Sequence, residues 1–197
     1  MRRDASLIND EAELRGALKV AGLDLAARPN RCSGYAIIDA NSKTVEKTLC
    51  LFTDKEILKT VIKTKPEVLA VDAPLSPIPK WREIDRLARR AGFKVMPPTL
   101  GSMRDLTIRA WRLYEALSAL GITVIETHPS SVLSFTSTNN LLELLDKLKL
   151  MCSFCSSISK RDLKDAILAA IVAYCYHIKE CFYSVTASDG AIYLVKT

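Results

Sequence analysis

The stretch "EVLAVDAPLSPIP", Glu67 to Pro79, decides how this chain folds. Val68-Leu69-Ala70-Val71 is a short continuous apolar run, the pattern of a strand buried on both faces. It runs straight into Asp72, and Ala73-Pro74 then ends the pattern. A carboxylate at the end of such a strand lies against low-dielectric core, where an unpaired charge is expensive. Asp72 therefore needs either a structural partner, such as an Asx-turn across Ala73-Pro74, or a chemical use.

Upstream of this strand the pattern predicts three others joined by short links. They are Leu18 to Leu25, Gly34 to Ala40 after the "AARPNRCS" loop, and Thr44 to Phe52 after the "NSKT" turn. Such a succession is expected to form an antiparallel meander. Asp54 can cap a helix over Lys55 to Lys63. Downstream, "WREIDRLARRAG" is helical with Gly92 as its stop, and a further helix runs from about Met103 to Leu120. "ITVIE", Ile122 to Glu126, is another buried strand. Helices follow near Asn140 to Lys149 and from Lys160 to about Lys179, and "AIYLV" closes the chain as a short strand, possible at a sheet edge. A meander followed by alternating helices and strands means α/β with a mixed sheet and helices on both faces. Residues 1–17, polar and charged, are read as an N-terminal extension, and 18–197 as one domain.

The anomaly at Asp72 recurs. Asp24 ends the first strand in "VAGLDLA", and Glu126 ends a third in "VIETHP". Asp162 and Asp165 head the apolar helix of "SKRDLKDAILAAIVAY". The carboxyl ends of parallel strands are where sites form in open α/β sheets. If the three strands are neighbours, their acids converge on one rim and the last helix brings Asp165 to it. Clustered carboxylates repel one another unless a cation sits between them. Oxygen ligands without paired histidines suit a hard ion, Mg²⁺ or Mn²⁺, and such ions serve phosphodiester hydrolysis. Each acid also has a plain structural reading. Asp24 can satisfy amides in the following turn, and Glu126 can pair with His128 or an arginine. Asp162 can complete a capping box with Ser159.

The formal charge of +6 over 197 residues leans toward an anionic partner such as nucleic acid. Arg82, Arg86 and Arg90, spaced by four, are expected to form a stripe along a phosphate backbone or a solvated face with an Arg82–Asp85 pair. Arg28 follows Asp24 directly and is a candidate substrate contact. Trp81 and Trp111 are candidates for stacking on bases or for packing. The six cysteines show no disulfide-scaffold spacing, and no secretory signal opens the chain, so reduced thiols and a cytoplasmic location are expected. Cys152 and Cys155 form a lone CxxC without a second pair. The absence of glutamine points faintly to a thermophile. The longest apolar run, Ala166 to Tyr176, is too short to span a bilayer.

The order of strands, helices and acids resembles the ribonuclease H-like fold, and "DLKDAILAA" looks like the D-x-x-D-A helix of RuvC-type resolvases. "GLDLA", "VDAPLSP", "R-x-x-D-x-x-A-R-x-x-G", "MPPT", "IETHPSSVL" and "DLKDAILAAIVA" together resemble an uncharacterised family of predicted nucleases with that fold. The resemblance runs from about Gly22 to the C-terminus. It implies metal-binding acids at Asp24, Asp72, Glu126 and Asp165, the positions reached above on physical grounds. The resulting expectation is a Mg²⁺- or Mn²⁺-dependent nuclease. The alternatives are an actin-like phosphotransferase or ATPase, which expects glycines after the first aspartate where "DLAARPN" has none, and a non-catalytic nucleic-acid-binding module.

Overall fold

The structure, a computed structural model, describes residues 18–197, so the extension read over 1–17 lies outside the described residues. Seven strands form one mixed sheet in the order β3-β2-β1-β4-β5-β7-β6. Strands β1 (Lys19–Asp24), β2 (Ser33–Asp39) and β3 (Thr44–Leu51) make the antiparallel meander. Asp39 turns the β2–β3 corner by accepting the Asn41 and Ser42 amides on Oδ1. Strand β4 (Val68–Asp72) lies parallel to β1, and β5 (Thr123–Thr127) parallel to β4. The C-terminal β7 (Gly190–Val195) adds parallel to β5, and β6 (Phe182–Ala187) pairs antiparallel on its outer side. The "AIYLV" strand is therefore interior, and β6 is the edge.

The helices are α1 (Asp54–Thr64), α2 (Glu83–Arg90), α3 (Gly101–Ser118), α4 (Pro129–Phe135), α5 (Leu141–Lys147) and α6 (Arg161–His177). The cap of α1 is Thr53 rather than Asp54. Its hydroxyl accepts the Glu56 amide while Glu56 reaches back to the Thr53 amide. The expected box at α6 does not form: Lys160 is the N-cap and offers no side-chain bond.

Strand alternation sorts the core into two layers. Val20, Val68, Ala70 and Ile125 face α6, whose residues from Ala166 to Cys175 are all buried, as its near-uniform apolarity requires. Ala21, Leu23, Leu69 and Val71 face α1 and α3 through Ile57, Val61, Leu113 and Leu117. Helices thus cover both faces. No helix of the described residues is long and apolar enough to cross a membrane.

The expectation of six reduced thiols is corrected. Cys32 is joined to Cys50, Cys152 to Cys155, and Cys175 to Cys181. The first pair forms because the meander brings the loop after β1 beside the end of β3, across 18 residues of sequence.

Candidate active site

Asp24 and Asp72 are direct register partners at the ends of β1 and β4. Adjacent strands lie about 4.8 Å apart, and partners in register point to the same face. That face is the one α6 covers, since Asp24 follows Val20 and Gly22 in phase and Asp72 follows Val68 and Ala70. Two glycines bring the helix down onto the strands. A Cβ at Gly22 would fall on the Ala170 amide and the Ala166 carbonyl, and a Cβ at Gly34 would fall on the Asp162 carbonyl. Gly34 is the β2 partner of Asp24, so the first turn of α6 rests immediately beside that carboxylate.

Asp24, Asp72 and Asp165 line one cavity of about 420 Å³, with Arg161 and His128 on its walls. No described residue donates a hydrogen bond to Asp24 or Asp72. Burial raises the Asp24 pKa from 3.8 to about 7, and the charges of Asp165 and Asp162 add to the rise. Asp72 is held well above the ordinary carboxylate range by burial and then by Asp24, Asp165 and Glu126. Burial raises Asp165 too, opposed by Arg161, whose Nε donates to Oδ2 at 3.1 Å. Asp162 stands outside the cavity lining but near enough to act on Asp24 and Asp165.

The four acids are not equivalent, and Glu126, expected as a catalytic, metal-holding acid, differs from the other three in phase and in partners. Ile125 pairs with Ala70 on the α6 face, so Glu126, opposite Val71, falls in the other phase. There Arg82 donates to both its oxygens, at 2.7 and 2.6 Å, and the Leu75 amide donates to Oε2 at 2.8 Å. Glu126 reaches the cavity edge already neutralised. The in-phase residue is Thr127, whose hydroxyl donates to the Tyr193 carbonyl and anchors β5 to β7.

Arg82, expected as a phosphate contact, is turned into the core instead. Its side chain is 1% exposed and bonds Asp85 as well as Glu126. The Arg82–Asp85 pair expected on a solvated face is therefore buried. Arg86 and Arg90 stay exposed on α2, and Arg28 is exposed in the loop after β1 without lining the cavity. Trp81 lies under the Arg89 guanidinium, and Trp111 stacks on Tyr114.

Three residues of the site carried no sequence signal that singled them out. Arg161, one residue before Asp162, is the cation whose charge opposes the rise at Asp24, Asp72 and Asp165. Arg109 on α3 is buried and donates to the carbonyls of Ala26 and Phe52 and to Asp54, fixing the chain two residues beyond Asp24. His128 lines the cavity with Nδ1 at 2.8 Å from the Ser131 hydroxyl, and burial lowers its pKa to about 4, so it is neutral at pH 7.

As the side chains stand, no group of three or more His, Cys, Asp or Glu among the described residues is gathered closely enough to hold an ion. The donor chemistry nevertheless fits a hard cation. Asp24 and Asp72 are adjacent, oxygen-only and short of positive charge.

No family model and no curated protein matches the chain. Solved structures do. RuvC of Thermus thermophilus in complex with a Holliday junction substrate superposes with a TM-score of 0.52 at 14% identity, covering 82% of this chain and 96% of that one. A second Thermus thermophilus RuvC structure gives 0.51 at 16% identity, covering 82% and 97%. At such identities the likeness is one of fold. The chain has a ribonuclease H-like fold.

Proposed function

We propose that the protein is a metal-dependent nuclease, hydrolysing phosphodiester bonds of nucleic acid. It would belong with the uncharacterised predicted nucleases whose motifs its sequence resembles, residues 18–197 making one domain. The observation that carries this reading is the register pairing of Asp24 with Asp72, two hydrogen-bond-poor carboxylates facing Asp165 across one cavity. A structural role would leave such groups satisfied, as Arg82 satisfies Glu126.

Asp24 and Asp72 would hold Mg²⁺ or Mn²⁺, with Asp165 facing them from α6 and Asp162 adding field from outside. The ion, when bound, supplies Lewis-acid polarisation of the phosphodiester. Gly22 and Gly34 set the distance between the strand acids and the helix acids. Arg109 holds the chain after Asp24 in place. Arg161 presents positive charge beside the acids, where a phosphate has to approach. His128, neutral at pH 7, lines the cavity without adding charge.

The test is cleavage of labelled single strands, duplexes, hybrids and four-way junctions with Mg²⁺, Mn²⁺ or EDTA, with ATP hydrolysis measured in parallel. The junction belongs in the panel because the RuvC structure holds one. Cleavage that requires metal and disappears in Asp72→Asn is expected. ATP turnover without cleavage would transfer the reading to an actin-like phosphotransferase. Binding without either activity would leave a nucleic-acid-binding module.

A further inference from the structure

We propose that a second cavity, across Arg161 from the acids, is the subsite for the nucleotide flanking the scissile phosphate; the proposal rests on the nuclease reading above. This cavity measures about 430 Å³ and shares Arg161 and Asp165 with the acid cavity. The two therefore make one trough over the first turn of α6. Cavities of this size are in the range that holds small organic ligands.

Its lining has two kinds of surface. Leu142, Ile158 and Leu168 supply an apolar wall, and Arg161 and Lys164 supply two cations. Leu142 is 47% exposed, so apolar surface is presented to the trough instead of being spent in the core. A nucleotide divides the same way, with an apolar base face and an anionic phosphate. The cations are available for it. Arg161 is 80% exposed and bonds Asp165 through Nε, leaving both terminal nitrogens without a partner among the described residues. Lys164 is exposed, makes no ion pair with a described residue, and lies three positions along the same side of α6.

This assigns the backbone contact to α6, where the sequence pattern had pointed to α2. It also gives the Cys152–Cys155 disulfide a place. Cys155 lines the cavity, and the pair braces the turn that leads to Ile158.

The experiment measures affinity for a short labelled single-stranded oligonucleotide by anisotropy in EDTA over a range of salt concentrations. Lys164→Ala should flatten the dependence of log affinity on log salt by about 0.7. Leu142→Ser should weaken binding with the slope kept, because a wall contact carries no charge. Lys59→Ala, on α1 at the opposite face, should match the wild type. An unchanged slope in Lys164→Ala, or a wild type that binds no strand, overturns the subsite. Metal-dependent hydrolysis of bis(p-nitrophenyl) phosphate, which has no flanking nucleotide, reports on the acids separately. Its presence with an unchanged slope sinks the subsite alone, and its absence with a changed slope sinks the nuclease alone.

Discussion

Replacing Asp24 by Asn keeps the shape of the side chain and removes the charge, so it measures what that charge costs the apo fold. In the unfolded chain the carboxyl titrates near its ordinary 3.8, and in the fold at about 7. A raised carboxyl binds its proton more tightly in the native state. Its contribution to stability is therefore complete below pH 3.8 and is lost as pH rises through about 7. Three powers of ten in proton affinity, at about 1.4 kcal/mol each, amount to roughly 4 kcal/mol. Asp24 retains some access to water through the cavity, and Asp72 and Asp165 relax when it is neutralised. An expected gain of roughly 2–4 kcal/mol at pH 8 allows for both.

The assay is denaturant unfolding of wild type and Asp24→Asn in EDTA from pH 4 to pH 8.5. The two should unfold alike near pH 4. Their difference should open steadily and saturate above pH 7, with the mutant the more stable. Metal should narrow or close that gap. At a hundredfold excess of Mn²⁺ over its dissociation constant the wild type gains about 2.7 kcal/mol, and the mutant should gain much less. Because the ion displaces protons from Asp24 and Asp72, wild-type metal affinity should climb with pH through about 7. A mutant less stable than wild type at pH 8 without metal, or a difference flat in pH, would refute the reasoning and make Asp24 scaffold.

Gly22→Ala should cost at least 1–3 kcal/mol, since its Cβ meets helix backbone rather than a yielding side chain, and should lower the Mn²⁺ shift in thermal melts as α6 lifts from β1. A melt equal to wild type would mean that the helix has room to spare. Arg82→Ala should cost roughly 3–5 kcal/mol by leaving Glu126 and Asp85 buried without their cation, and Arg82→Met with Glu126→Gln should recover part of it. If the double variant is no better than the single in urea unfolding, packing and not charge explains the loss.

What the sequence made legible follows from how local each signal was. β1, β4 and β5 announced themselves as apolar runs that stop at an acid, and the meander followed from short links. The phase of Glu126 was not legible. Whether a strand's last residue shares a face with its neighbour's depends on register, and register is set by pairing partners more than fifty residues away in sequence. The burial of Arg82 is illegible for the same reason, because four-residue spacing marks a helix face without saying what covers it. The cover is Glu126, 44 residues on. β6 gave little periodicity because only Val185 of its six residues is buried. α4 was hidden behind Pro129, which reads as a break yet sits comfortably in a helix's first turn. Arg109 and Arg161 looked like any surface arginine until the fold supplied their partners.

The helix that closes the acid cavity, α6, follows both strand acids in the chain. Synthesis proceeds from β1, so the strand bearing Asp24 and the strand bearing Asp72 are both made well before Arg161 emerges. Until then the α6 face of the sheet is bare, the glycine channel at Gly22 and Gly34 is empty, and the third acid does not exist. A nascent chain, or one truncated before residue 161, has the strand acids with nothing to complete them. Burial of some of the sheet's most central surface and completion of the site are one event, which waits for α6. The full set of acids around the cavity is thereby withheld from every fragment that stops short of α6.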